Sequence, residues 1–98
     1  LAAPAMLRAE VTSALRGETW SGRLEEEAAR RALRRCLALP ITLHPAEPFL
    51  PRMWELRHNV TPYDAWYVAL AEALHAPLLT TDGRLARSTG VRCEFRVV

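Results

Sequence analysis

Lysine is absent from these 98 residues, so all 13 basic side chains are arginine. Aspartate is nearly absent: Asp64 and Asp82 are the only two, and every other acid is glutamate. Two cysteines, Cys36 and Cys93, stand far apart in no metal-ligand spacing. They exclude a disulfide framework and read as small core residues of an intracellular protein. No apolar run approaches membrane-spanning length, and no charged start followed by an apolar stretch marks a signal peptide. A membrane partner is therefore not expected, and a cytoplasmic location is. Gly-rich phosphate loops, H-x-x-x-H and G-x-S-x-G are missing, which removes nucleotide-binding, zinc protease and serine hydrolase readings. The net charge of +2 does not by itself argue for nucleic acid.

What is present suits one small domain with little core to spare, since half of the residues are apolar. Arginine is the more suggestive part of the charge, because its planar fork matches phosphate oxygens. The cluster "RRALRR" (Arg30, Arg31, Arg34, Arg35) nevertheless reads as a solvated helix face with Glu25, Glu26 and Glu27 one turn earlier. Periodicity predicts a helix over residues 4–17, with Pro4 in its first turn and Gly17 as its stop. A second helix follows over 21–39, capped by Ser21 or Gly22. A strand is expected over 41–44 and a third helix over 48–58. Residues 62–76 form a fourth, Ala- and Leu-rich helix behind Thr61. A short buried strand, "PLLTT", precedes a helical turn, "GRLARS", and the chain closes on a strand over 91–98. In that last strand Val91, Cys93, Phe95 and Val97 alternate with charged residues. Helices alternating with three short strands predict an α/β sandwich with a mostly parallel sheet.

The aspartates sit oddly, each beside an apolar run. In "TPYD" Thr61 would cap the helix, Pro62 is its first residue and Asp64 its third, where a carboxylate accepts from a free backbone N–H, and periodicity alone favours this helix-start role. The role is compatible with offering an oxygen to a metal. Asp82 follows the strand end "TT" and precedes Gly83, so it reads equally as a turn or helix cap and as part of a site beyond a strand's carboxyl end. Glu10 lies at the edge of the first helix's apolar stripe, as a boundary residue paired with an arginine would. Glu72 is expected to be solvated. His44, His58 and His75 share no ligand spacing. Tyr63, Trp66 and Tyr67 have the chemistry to stack on bases, although helical spacing favours core positions. Leu50, Met53 and Trp54 are candidates for a self-association face or for the core.

Taken together, "TPYDAWYVALAEALHAPLLTTDGRLA" resembles the C-terminal half of PIN domains, specifically the VapC-type toxins of bacterial toxin–antitoxin pairs. That half carries a Y-D-A-x-Y-x-A-L-A-E helix, a short strand ending in T-x-D or T-T-D, then R-L-A. Upstream, "MLRAEVTSALRG" resembles the family's E-V-x-S-A-L-R helix, with Glu10 at the acidic position. The resemblance covers nearly the whole chain and is most specific over residues 59–87. It implies a PIN-like α/β sandwich over residues 1–98, with helices around a short, mostly parallel sheet, and a metal-dependent endoribonuclease. Carried over by position, Glu10, Asp64 and Asp82 are the catalytic and metal-binding acids, holding Mg²⁺ or Mn²⁺. Thr80, Thr81, Arg8, Arg84 and Arg87 are the candidates for orienting a carboxylate or contacting RNA. The residue types suit the chemistry, because hard divalent cations take oxygen ligands and make water a better nucleophile toward a phosphodiester. A VapB-like antitoxin and a homodimer are implied as partners.

The family also opens with a V-x-D-x-S/T strand bearing a further site aspartate, and nothing like it precedes "LAAPAM" here. The expectation is that this strand is missing from the chain as given, so that the chain alone binds divalent metal weakly and cleaves RNA poorly. The alternative to a nuclease is a non-catalytic PIN-like module kept for binding an antitoxin or itself.

Overall fold

The computed structural model describes all 98 residues. It contains β1 (Ala2–Pro4), α1 (Leu7–Trp20), α2 (Glu26–Ala38), β2 (Thr42–His44), a 3₁₀ turn (Glu47–Phe49), α3 (Leu50–Glu55), α4 (Pro62–Leu74), β3 (Leu78–Thr80), α5 (Gly83–Ala86) and β4 (Phe95–Val97). The class is α/β, as the sequence predicts, with short strands flanked by helices. Four strands form two two-stranded sheets, β1–β2 and β3–β4, where the sequence reading has three strands and one sheet. The missed strand, β1, covers only three residues, too short to show an alternation. Two compact units, Leu1–Leu43 and His44–Val98, divide the chain.

In the first unit, Thr42 N–H donates to the Leu1 carbonyl at 2.9 Å beside the β1–β2 pair. Pro4 is buried in β1 and does not open α1, which starts three residues later. Gly17 does not stop α1 either; the helix runs on to Trp20. The break comes at Gly22, whose φ of 79° lies where glycine carries no Cβ penalty. Ser21 closes α1, and α2 begins at Glu26 behind Glu25 in extended conformation, so neither Ser21 nor Gly22 caps α2. Glu26 and Glu27 in its first turn and Arg35 in its last match the helix dipole. Arg30, Arg31, Arg34 and Arg35 are all exposed, as expected of a solvated face, and Arg30 lies 3.9 Å from Glu27.

The second unit is built on α4. Ala65, Val68, Ala69, Leu70 and Ala71 are buried there, and four of the five are small or β-branched, which lets neighbours approach closely. Ala65 and Val68 form one core with Leu56, Val60 and Leu85, against which Met53, Leu78, Val91, Cys93 and Phe95 pack. β3 and β4 run parallel, with Leu78 opposite Phe95 and Thr80 opposite Val97. β3 is not the buried strand expected: Leu79 is 60% exposed, as is Val97 at 57%. The third helix is shorter than predicted, a 3₁₀ turn leading into six α-helical residues, with prolines at 48 and 51 limiting regular hydrogen bonding. His75 ends α4 in the left-handed region at φ 50°, while the Ala76 N–H closes back onto the Ala71 carbonyl at 3.0 Å.

Candidate active site

β3 ends at Thr80, and the chain turns directly into α5. Asp82 makes that turn. Its Oδ1 accepts from Arg84 N–H at 2.8 Å and from Leu85 N–H at 3.3 Å, and its own N–H donates to the Thr80 hydroxyl at 3.0 Å. The cap reading of Asp82 is therefore correct, and it leaves the side chain exposed with a second carboxylate oxygen. Thr80 therefore braces the turn through the Asp82 backbone N–H; the expected contact was with a carboxylate or a water. Thr81 is exposed beside it.

Asp64 stands in the first turn of α4 and is half-buried. Thr61 occupies the N-cap position but makes no side-chain bond to the backbone. Its hydroxyl instead donates to Asp64 Oδ2 at 3.0 Å, so Asp64 accepts from a side chain where a backbone N–H was expected. This bond fixes the carboxylate and leaves Oδ1 as its second oxygen. Ala65 and Leu85, the neighbours of these two helix starts, share one core, which ties both aspartates to the same rigid packing.

Glu10 lies in the first turn of α1, in the Leu1–Leu43 unit, and is exposed. Arg8, two residues earlier, is half-buried; its guanidinium reaches the Leu39 carbonyl at 3.4 Å, and its Nε is buried without a partner. Arg84 lies within α5 and Arg87 caps its C-terminal end; both are exposed.

Carboxylate and hydroxyl oxygens are the donors a hard divalent cation selects, and Mg²⁺ commonly takes one or two carboxylates while keeping several waters. The donor chemistry at Asp64 and Asp82 fits such an ion. No group of three or more His, Cys, Asp or Glu side chains in the structure is arranged to hold a metal, however, so a closed three-acid cage is not present.

Sequence reasoning misjudged Glu72. It is not solvated: its side chain is 12% exposed, and Arg52 at 19% grips it with Nε–Oε1 2.7 Å and Nη2–Oε2 3.0 Å. Arg52 also reaches Glu55 at 3.1 Å and the Gly90 carbonyl at 2.7 Å, while Arg92 N–H donates to Glu72 Oε2 at 2.7 Å. Burial pushes the Glu72 carboxyl up, but the Arg52 and Arg92 hydrogen bonds outweigh it and hold the group below the ordinary 4.5. The signal was available: Glu72 falls four residues after Val68 and seven after Ala65, on the buried stripe of α4. Beside it, a cleft of about 510 Å³ is lined by His75, Arg92, Cys93 and Glu94, at the opposite end of α4 from Asp64. Burial, with Glu72 next, raises the Cys93 thiol above its usual value.

The α/β fold thus holds one hydrogen-bonded aspartate at a helix start and another at a strand end. The PIN domain family profile matches residues 1–90. The chain belongs to the PIN domain family. Among its relatives, "Ribonuclease VapC1" of Mycobacterium tuberculosis (strain ATCC 25618 / H37Rv) is 51% identical over 100 residues, covering 98% of this chain and 73% of that protein. "VapC ribonuclease Mb0985" of Mycobacterium bovis (strain ATCC BAA-935 / AF2122/97) is 40% identical over 95 residues, covering 97% and 75%. "Ribonuclease VapC12" of Mycobacterium tuberculosis (strain ATCC 25618 / H37Rv) is 38% identical over 96 residues, covering 98% and 74%.

Proposed function

We propose that this protein is a VapC-like endoribonuclease toxin that hydrolyses RNA phosphodiesters with a divalent cation, Mg²⁺ or Mn²⁺. The observation that carries the reading is 51% identity to a named ribonuclease over nearly the whole chain. Asp64, Asp82 and Glu10 are assigned as the ion's carboxylates. When bound, the ion supplies Lewis acidity that activates a water and offsets charge on the phosphate. The chain's own part is positioning. Thr61 holds Asp64 in one orientation, and the α5 N–H groups hold Asp82, so neither carboxylate must be ordered when RNA arrives. Arg84 and Arg87 are assigned to phosphate contacts beside Asp82, with Arg8 a third candidate. The same reading assigns a VapB-like antitoxin as inhibitor, a homodimer and a cytoplasmic location; no helix is long and apolar enough to cross a membrane.

The test is RNA cleavage by the natively encoded protein and its Asp64→Asn and Asp82→Asn variants, with and without EDTA. Both variants and EDTA should abolish cleavage. Full activity in both correctly folded variants refutes the assignment. One observation favours a second reading, a non-catalytic module that binds an antitoxin: no three-residue metal group is present. Calorimetric titration with Mn²⁺ separates the two, since binding lost on Asp82→Asn supports the nuclease and no binding at millimolar ion supports the module.

A further inference from the structure

Trp54, on α3, is 68% exposed, an uncommon position for a large indole in so small a domain. The core does not claim it: Met53 packs inward, while Leu50, one turn earlier, is 50% exposed on the outward side with Trp54. Its ring is not bare either. The Arg57 guanidinium lies 4.3 Å from the ring centroid, and Arg57 Nη1 donates to the Trp54 carbonyl at 2.8 Å. One bond thus holds the cation over the indole, where the ring quadrupole attracts it. The nearest acid in sequence, Glu55, is answered by Arg52 at 3.1 Å, so Arg57 keeps its charge for another partner.

We infer that the Trp54–Arg57 stack is a docking platform for an unpaired base of single-stranded RNA. This rests on the ribonuclease reading and names how its substrate is held. A planar, exposed π-surface backed by a fixed guanidinium offers a base a stacking partner and the adjoining phosphate a cation. Base stacking of this kind is sequence-tolerant, because every base has a π-face, so the platform adds affinity without choosing the sequence. It lies in the unit that carries Asp64 and Asp82.

The test is binding of a fluorescent single-stranded oligoribonucleotide in EDTA, which separates binding from cleavage, with wild type, Trp54→Ala, Trp54→Phe and Arg57→Ala. Trp54→Ala should weaken binding roughly 5- to 150-fold, the span of about 1–3 kcal/mol per stacked base. Trp54→Phe should recover part of the loss, and Arg57→Ala should fall between. Thermal midpoints should be unchanged, since the ring is largely in solvent. Unaltered affinity in Trp54→Ala overturns the platform, and if wild type still cleaves RNA the ribonuclease reading survives. An equal loss in Trp20→Ala, which removes another Arg-stacked exposed indole, overturns the assignment to α3. A Trp54→Ala change in sedimentation without a change in RNA affinity overturns it in favour of a protein contact. A wild type that neither binds nor cleaves overturns both readings together.

Discussion

At the residue scale, the two aspartates each have a structural role and a proposed catalytic one, which substitution can pull apart. Asp82 caps α5 through Oδ1, and asparagine is about as good an N-cap as aspartate. Asp82→Asn should therefore keep stability within about 0.5 kcal/mol while lowering RNA cleavage by on the order of 10²-fold or more. Asp82→Ala removes the cap as well and should cost about 0.5–2 kcal/mol in urea melts. If Asp82→Asn unfolds the protein as badly as Asp82→Ala, charge itself is structural at that turn and the cap argument fails. The cap of Asp82 was legible in the sequence because Asp-Gly beside a short helical pattern is a local rule. The Thr61–Asp64 bond was half legible: position showed the helix start, but two side chains within reach can satisfy one another instead of the backbone. Cys93 makes a narrower test. Burial raises its thiol pKa, so its alkylation at pH 8 should lag behind that of a free peptide thiol.

At the scale of elements, the Arg52–Glu72 pair joins α3, α4 and the turn before β4. Glu72's folded pKa lies below its unfolded value, so its contribution is full above about pH 4.5 and is lost as pH falls through the folded value. Glu72→Gln should cost about 1–3 kcal/mol at neutral pH, and the gap to wild type should close on acidification below pH 4.5. A gap that widens in acid would contradict the sign. Packing offers a second contrast. Leu56, 1% exposed, should lose about 2–5 kcal/mol on truncation to alanine, whereas Leu79→Ser should stay within about 0.5 kcal/mol, measured by denaturant midpoints. Sequence periodicity revealed α4 because it obeys one rule over 13 residues, and the Asp-Gly pair marked the turn from β3 into α5. Periodicity failed where elements are short or where a long-range partner decides. Strand β1 spans three residues, Gly17 is tolerated inside α1, and Glu72 is largely withdrawn from solvent because Arg52, 20 positions away, meets it.

At the scale of the whole molecule, charge argues for few RNA contacts rather than a broad basic surface. Thirteen arginines face 11 acids, and several are already engaged: Arg23 with Glu18, Arg30 with Glu27, and Arg52 with Glu55 and Glu72. Of the second unit's other arginines, Arg84 and Arg87 at α5 and Arg57 over Trp54 are the cations proposed to meet phosphate, while Arg92 and Arg96 are exposed but not assigned. Binding a single strand releases about 0.7 counterions per phosphate neutralised, so two or three contacts predict a log affinity against log salt slope of about −2. Tenfold more salt should then weaken binding about 100-fold. Arg84→Ala should flatten the slope by about 0.7 and reduce affinity evenly across RNA sequences, because a phosphate contact carries no sequence information. Trp54→Ala should lower affinity at every salt concentration while leaving the slope in place, since stacking displaces no ions. A wild-type slope steeper than about −5 would mean a wide electrostatic footprint and would displace this picture of a small stacked-and-clamped strand. An Arg84→Ala slope equal to wild type would instead remove Arg84 from the phosphate path and leave Arg87 as the one α5 cation to guide the strand past Asp82.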